Sequence, residues 1–218
     1  MANITYTING VDFKDYGVFV SDSDGIVNRP KLKPMASFSW DDYHGEVVDL
    51  NRKVLAPREI TLSCFIKADS RNEFVAKLLD FEQVFNNTGT QRLVINAVEN
   101  KPLIYEVYCK DEISVLKKWN DTLMVGTFKL KLIEPEPVKR VIRFMPTSIV
   151  PRIITLTSNK ALTVYWGDGS ITEDVRGENI TISHTYDKSG TFYAVITGVI
   201  EEITNFSTPN GTIVWDKI

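Results

Sequence analysis

The chain has 218 residues, 43% of them hydrophobic and 24% charged, with a formal net charge of -3. That suits one large domain or two modest ones of ordinary globular composition. The slight acidic excess argues against a general nucleic-acid binder, and no apolar run approaches the roughly 18–20 residues of a membrane span.

Residues 4–8, ITYTI, alternate and run into Asn9-Gly10, a hairpin turn pair. No basic leader followed by an apolar stretch precedes them, so no secretory signal is expected. Asp12 to Val20 reads as a loop and a short strand, and Asp22-Ser23-Asp24-Gly25 as a turn. Calcium loops use similar acidic spacing, but the glutamate they need further on is missing, so no metal site is expected. Arg29-Pro30-Lys31-Leu32-Lys33-Pro34 is an extended basic segment whose prolines suit an edge or an arm. Phe38 to Trp40 begins a strand, Asp41 to Gly45 is a polar loop, Val47 to Leu50 is extended again, and Asn51 to Pro57 is a second loop.

The strongest local signal follows. In Glu59 to Ile66 the residues Ile60, Leu62, Cys64 and Ile66 fall on one face and Glu59, Thr61 and Ser63 on the other, a period of two. Ser70 followed by Glu73 is a capping box, in which two side chains satisfy backbone N–H groups left unpaired at a helix start. Phe74, Leu78, Phe81 and Phe85 then recur at helical spacing, with Val75, Leu79 and Val84 expected to widen the stripe. Asn86-Asn87-Thr88-Gly89 ends the helix, with a glycine able to take a left-handed cap. A helix with so apolar a face must lie across a sheet.

Beyond it, strands are predicted at Gln91–Ile95, Leu103–Cys109 and Met124–Ile133, with Lys129 and Lys131 facing solvent or a partner. Glu112 to Thr122 reads as a mobile loop or hairpin arm containing Lys117, Lys118 and Trp119. Glu134-Pro135-Glu136-Pro137 stops the last strand and marks a boundary, giving domains 1–136 and 137–218. Residues 1–140 hold 19 basic and 20 acidic side chains against 6 and 8 in 141–218, so neither half binds by bulk charge. The second domain is read as strands at Ile153–Thr157, Leu162–Trp166, Ile180–Ser183, Thr191–Thr197 and Ile213–Trp215, the pattern of an immunoglobulin-like sandwich.

Cys64 and Cys109 sit on separate strands and read as free thiols, with a disulfide or a two-thiolate metal site as lesser readings. The two histidines, His44 and His184, fall in different domains, and no GxSxG, HExxH, P-loop or CxxC pattern is present. No enzyme activity and no cofactor are expected.

Two resemblances add to this. Tyr165-Trp166-Gly167-Asp168-Gly169-Ser170, then His184-Thr185-Tyr186-Asp187-Lys188-Ser189-Gly190-Thr191-Phe192-Tyr193, resembles the PKD family of β-sandwich domains over about 153–200. Gly167 and Gly169 permit a tight turn, Asp168 can accept backbone N–H groups across it, and Tyr186 and Tyr193 supply large bodies with polar tips. The resemblance implies scaffold roles for Trp166, Gly167, Asp168, Gly169, His184, Tyr186, Gly190 and Tyr193. Such modules serve as spacers or adhesion units, and some bind carbohydrate weakly.

Over about 1–140 the order of segments is similar to the distal tail (Dit) proteins of long-tailed bacteriophages. It runs from Gly10-Val11-Asp12-Phe13-Lys14-Asp15-Tyr16-Gly17-Val18 through an extended arm and the strand-helix stretch to a closing strand series. The resemblance implies a mainly β fold: a tail-tube-like sandwich or barrel with one flanking helix and a protruding hairpin, followed here by the PKD-like sandwich. It also implies six copies closing into a ring in the virion tail. Such a ring joins the tail tube to the baseplate or host-binding apparatus, and DNA passes through its lumen. Candidate subunit contacts are Arg29, Lys31 and Lys33 of the arm, Trp40, Tyr43 and His44 of the loop, and Lys117, Lys118 and Trp119. Each also reads as part of a solvated loop. The alternative function is a cell-surface adhesion or glycan-binding protein.

Overall fold

The computed structural model describes residues 4–51, 53–98, 100–120, 123–147 and 149–217. The N-terminal three residues, Arg52 of the second predicted loop, and Asp121 and Thr122 at the end of the predicted arm lie outside that set. In chain order the elements are β1 (Thr5–Ile8), β2 (Val11–Asp12), β3 (Val18–Asp24), β4 (Ser37–Phe38), β5 (Val47–Val48), β6 (Arg58–Ala68) and α1 (Arg71–Val84). There follow β7 (Gln91–Asn96), β8 (Leu103–Cys109), β9 (Leu116–Trp119), β10 (Met124–Glu134) and β11 (Lys139–Phe144). The last are β12 (Arg152–Tyr165), β13 (Ile171–His184), β14 (Phe192–Gly198), β15 (Thr204–Ser207) and β16 (Gly211–Asp216). Among the described residues the fold is mainly β with a single α-helix, as the alternation of most segments requires.

Two compact units emerge, each assembled from separated segments. One is Val11–Gln91 with Glu106–Pro137; the other is Met1–Gly10, Arg92–Tyr105 and Val138–Ile218.

In the first unit β10, β6 and β3 neighbour one another in that order, all antiparallel, and β9 pairs with the other side of β10. Period two decides the faces. Ile60, Leu62, Cys64 and Ile66 of β6 are buried, and their cross-strand partners include Leu132, Leu130 and Phe128 of β10. α1 covers this face with Phe74 and Phe81, both buried. Gly126 of β10 sits directly beneath: a Cβ there would lie 2.8 Å from Phe74 Cζ, so only glycine lets the helix come this close.

The helix start matches its reading, with one shift. The Glu73 N–H donates to Ser70 Oγ at 3.2 Å, while the Glu73 carboxylate accepts the Asp69 N–H at 3.0 Å and pairs with Lys77 one turn on at 2.6 Å. The stripe is narrower than expected. Val75 and Leu79 are exposed. At about 100° per residue they stand roughly 90° and 130° from the centre of the Phe74-Leu78-Phe81-Phe85 line, beyond reach of the sheet. The end also differs: α1 stops at Val84, whose carbonyl accepts from Asn87 Nδ2, and Gly89 takes its positive φ further on, in the turn before β7.

One more segment departs from expectation. Asp22 to Asp24 continue β3, and the turn begins at Gly25, with φ 83°. The register shifts between Val20 and Asp22, and Ser21 Oγ donates to the Ser63 carbonyl at 2.9 Å, so the strand absorbs one extra residue and runs on. Residues 116–119, expected in a mobile loop or a hairpin arm, form β9, paired antiparallel to the next strand, β10, from Thr127↔Leu116 to Met124↔Trp119, as the hairpin-arm reading has it.

In the second unit β1 pairs with β7. Residues beyond Pro137 form a six-stranded antiparallel sheet in the order β13-β12-β14-β11-β16, with β15 also on β12. Its core holds Phe144, Ile154, Leu156, Leu162, Val164, Trp166, Tyr186 and Ile196. The two strands predicted at 153–157 and 162–166 are one long strand. Ser158 lies at the irregularity, where its hydroxyl donates to the Lys160 carbonyl at 2.8 Å and accepts the Lys160 N–H at 3.2 Å, so the chain kinks without leaving the sheet. Strands β11 and β15 were not foreseen. In β11, Lys139 and Arg140 are buried: the Lys139 ammonium sits 4.1 Å from the Tyr105 ring centre, and Arg140 grips Asp216 with two bonds of 2.8 and 3.2 Å.

Candidate functional site

The candidate contact residues of the first unit fall in two places. Arg29 leads into a hairpin whose limbs are held by Lys33 N–H to the Val54 carbonyl (2.8 Å), Ala56 N–H to the Lys31 carbonyl (2.7 Å) and the β4–β5 pairing Ser37↔Val48 and Phe38↔Val47. The Pro30 and Pro34 rings cost this ladder two donors and confine it to two strands. Among the described residues of 31–57 none is buried. The tip carries Phe38 (62% exposed), Trp40 (52%) and Tyr43 (60%) beside Asp41, Asp42 and His44. Phe38 stacks on Trp40 at 6.2 Å and Trp40 meets Tyr43 edge-on at 6.4 Å, so the rings contact chiefly one another.

Lys117, Lys118 and Trp119 lie apart from the hairpin, on β9. Trp119 packs edge-on against Phe74 at 5.5 Å, with the Arg71 and Lys117 cations 5.9 and 5.7 Å from its ring centre. It therefore anchors the start of α1 as well as β9. Register places Lys118 beside Val125 and thus on the face away from the helix, where Lys129 and Lys131 are also exposed. That face bears a cleft of about 980 Å³ lined by Ser63, Phe65, Lys110, Thr127 and Lys129 among others, and Lys131 pairs with Asp111 at its rim (3.1 Å). Sequence reading picked out neither the cleft nor the contribution of Ser63 and Phe65; their place on the polar face of β6 was the only signal.

In the second unit the turn after β12 is a closed polar lock. The Trp166 N–H donates to the Ser170 carbonyl (2.9 Å), the Ser170 N–H donates to Asp168 (3.0 Å), and Asp168 Oδ2 lies 2.6 Å from His184 Nε2. Gly167 and Gly169 supply the positive φ values of 99° and 96°. The His184 ring stacks on Trp166 at 5.0 Å, and the Tyr186 hydroxyl donates to the Trp166 carbonyl at 2.8 Å. Tyr186 stacks in turn on Phe192 at 4.1 Å. Gly190 donates its N–H to the Pro146 carbonyl (3.3 Å), and the Tyr193 carbonyl accepts from Arg92 Nη1 (2.5 Å). Arg92, whose Nη2 also reaches the Tyr165 carbonyl (3.2 Å), ties β12 to β14 and was missed from the sequence. These two partners are backbone carbonyls, which leave no residue pattern to read.

Burial works against the Asp168 charge, but the Ser170 N–H and the His184 ring outweigh it and hold its carboxyl below the usual range. A group with a lowered folded pKa stabilises the fold above its unfolded pKa of about 3.9 and stops doing so as pH falls through the folded value. The wild-type chain is therefore expected to lose stability in that acid window, and Asp168→Asn to lose less of it. Trp fluorescence during acid titration of both proteins checks this; parallel curves would exclude the contribution.

Both cysteines are free. Burial pushes the Cys64 thiol up to about 12, and burial with the Asp111 charge raises that of Cys109. Neither is poised as a nucleophile. Among the described residues no cluster of three or more His, Cys, Asp or Glu side chains could hold a metal ion, and no helix is long and apolar enough to cross a membrane.

No family model and no curated protein sequence matches the chain. Solved structures do. The crystal structure of the SPP1 Dit protein, described as a paradigm of the hub adsorption apparatus in phages infecting Gram-positive bacteria, superposes with a TM-score of 0.51 at 10% identity, covering 90% of this chain and 98% of that one. The baseplate of phage p2 in its activated conformation with Sr contains a chain aligned at 8% identity and a TM-score of 0.49, over 91% of this chain and 99% of that one. From helix-covered sheet to C-terminal strands, the chain has the fold of the SPP1 Dit protein.

Proposed function

We propose that this chain is a structural protein of a phage or prophage tail. Copies of it close into a ring, six by resemblance, that joins the tail tube to the baseplate or host-binding apparatus and leaves a lumen for DNA. The observation that carries the reading is the superposition on SPP1 Dit, which takes in nearly all of both chains despite 10% identity. The hairpin supports it: a two-stranded arm with three exposed aromatic rings has little to bury against in its own unit and suits a neighbouring subunit. Residues 1–136 are assigned to the ring and 137–218 to a PKD-like module, in which the Trp166-Asp168-His184-Tyr186 lock is scaffold. A head-to-tail contact repeated by a rotation that closes builds such a ring.

Negative-stain microscopy with light scattering on the purified protein tests this. Closed rings, or a mass that rises toward a closed oligomer with concentration, are expected. A monomer at every concentration overturns the reading, and one that also binds immobilised glycans would move the chain to the adhesion class.

A further inference from the structure

The tip of the β4–β5 hairpin has the chemistry of a cation site. Trp40 and Tyr43 are the ends of a tight turn, closed by the Tyr43 N–H donating to the Trp40 carbonyl at 3.1 Å, with Asp41 and Asp42 between them. The turn sets the two rings at 79° with centres 6.4 Å apart, and Phe38 extends the Trp40 side at 6.2 Å. Two rings near a right angle form a corner, and all three aromatic residues are exposed. The charged residues of 35–51 are Asp41, Asp42, Glu46 and Asp49, all exposed, and no lysine or arginine stands among them. Among the described residues Asp41, Asp42 and Glu46 form no ion pair.

The other three tryptophans show what such a ring takes in this protein. Trp119 has the Arg71 and Lys117 cations 5.9 and 5.7 Å from its centre, Trp215 has Lys101 at 5.6 Å, and Trp166 is capped by the His184 ring. Among the described residues Trp40 has neither a cation nor an imidazole over it, although carboxylates flank it. An aromatic face is electron-rich, and neighbouring carboxylates add to its pull on a positive charge. The tip therefore attracts a cation that the chain itself does not supply. A metal ion needs a cluster of ligating side chains, and the described residues hold none. A primary ammonium is strongly hydrated and needs acceptors placed around three N–H groups. A quaternary ammonium has no N–H to satisfy and presents methyl groups to the rings. We infer that the Phe38-Trp40-Tyr43 corner binds a quaternary ammonium group of the choline type, with Asp41 and Asp42 supplying the countercharge. The site lies within one chain, so it does not rest on the ring reading.

Choline tests this on the purified chain, beside its uncharged isostere in which a quaternary carbon replaces the nitrogen, with sodium chloride holding ionic strength constant. Saturation-transfer NMR reads the methyl signal of each probe. Choline is expected to bind roughly fivefold or more tightly than the isostere, the ratio that one cation–π contact at an exposed site provides. Trp40→Ala abolishes the transfer. Asp41→Asn with Asp42→Asn weakens choline about two- to fivefold and leaves the isostere unchanged. Among the described residues of 31–57 none is buried, so these variants keep the fold, and circular dichroism confirms it. Absence of transfer, equal binding of choline and isostere, or transfer that survives Trp40→Ala overturns the site. So does tighter binding of N-acetyl-lysine amide than of choline, which would make the tip a receptor for basic protein side chains. Light scattering on the same samples reads assembly separately, so failure of the choline site leaves the ring reading standing, and failure to assemble leaves the choline site standing.

Discussion

Replacing Phe81 with alanine is expected to destabilise the first unit by about 3–5 kcal/mol, the usual cost of deleting a buried aromatic ring and leaving its cavity. Phe81 is fully buried and is the hub of the helix contact. Its ring meets Phe13 at 5.2 Å, Tyr16 at 5.6 Å, Phe85 at 5.4 Å and Phe128 of β10 at 5.9 Å. Four rings from the turn before β3, the helix and the sheet would lose one common partner. Urea unfolding followed by circular dichroism checks it. A loss below about 1 kcal/mol would mean that the helix face is not core. Leu79→Ala, on the exposed side of the same helix, should stay within about 0.5 kcal/mol.

Glu134→Ala is the second large effect. Arg58 and Glu134 pair at 2.9 Å with side-chain exposures of 9% and 2%, as cross-strand partners at one end of the β6–β10 register. Arg58 also donates to the Ile26 and Asn28 carbonyls at 3.2 and 2.7 Å, which fastens the segment between β3 and the hairpin. Removing the carboxylate strands a buried guanidinium, so about 3–5 kcal/mol should be lost. Replacing the pair together by Leu and Met should cost less, since neither charge then remains uncompensated. The same denaturation measurement on the single and double variants decides between these; equal losses would show that the charge is not what matters.

This pair marks a limit of pattern reading. Arg58 and Glu134 bound the period-two run of β6 and the end of β10, and by composition both belong to solvent. Arg58 lies just outside the predicted strand, and Glu134 was read as part of the charged boundary. Lys139 and Arg140 hide β11 in the same way, because buried charges imitate a surface segment until their partners are known. Val75 and Leu79 show the converse, apolar residues whose angle on the helix keeps them exposed. The hairpin's limbs are separate segments in the sequence, and their pairing depends on contacts between residues about nine to twenty-five apart.

The local arrangement was already contained in the order of residues. Ser70 and Glu73 start the helix, Phe74 and Phe81 define its buried line, the alternation of β6 and β10 sets their faces, and Gly167, Asp168 and Gly169 shape the turn after β12. These features depend on neighbours within a few positions, where stereochemistry and hydrogen bonding act directly. Only the tertiary structure decided that β11 lies inside a sheet and that Arg92 ties β12 to β14. Each of those depends on partners distant in the chain, and burial and pairing between distant segments leave no period in a sequence.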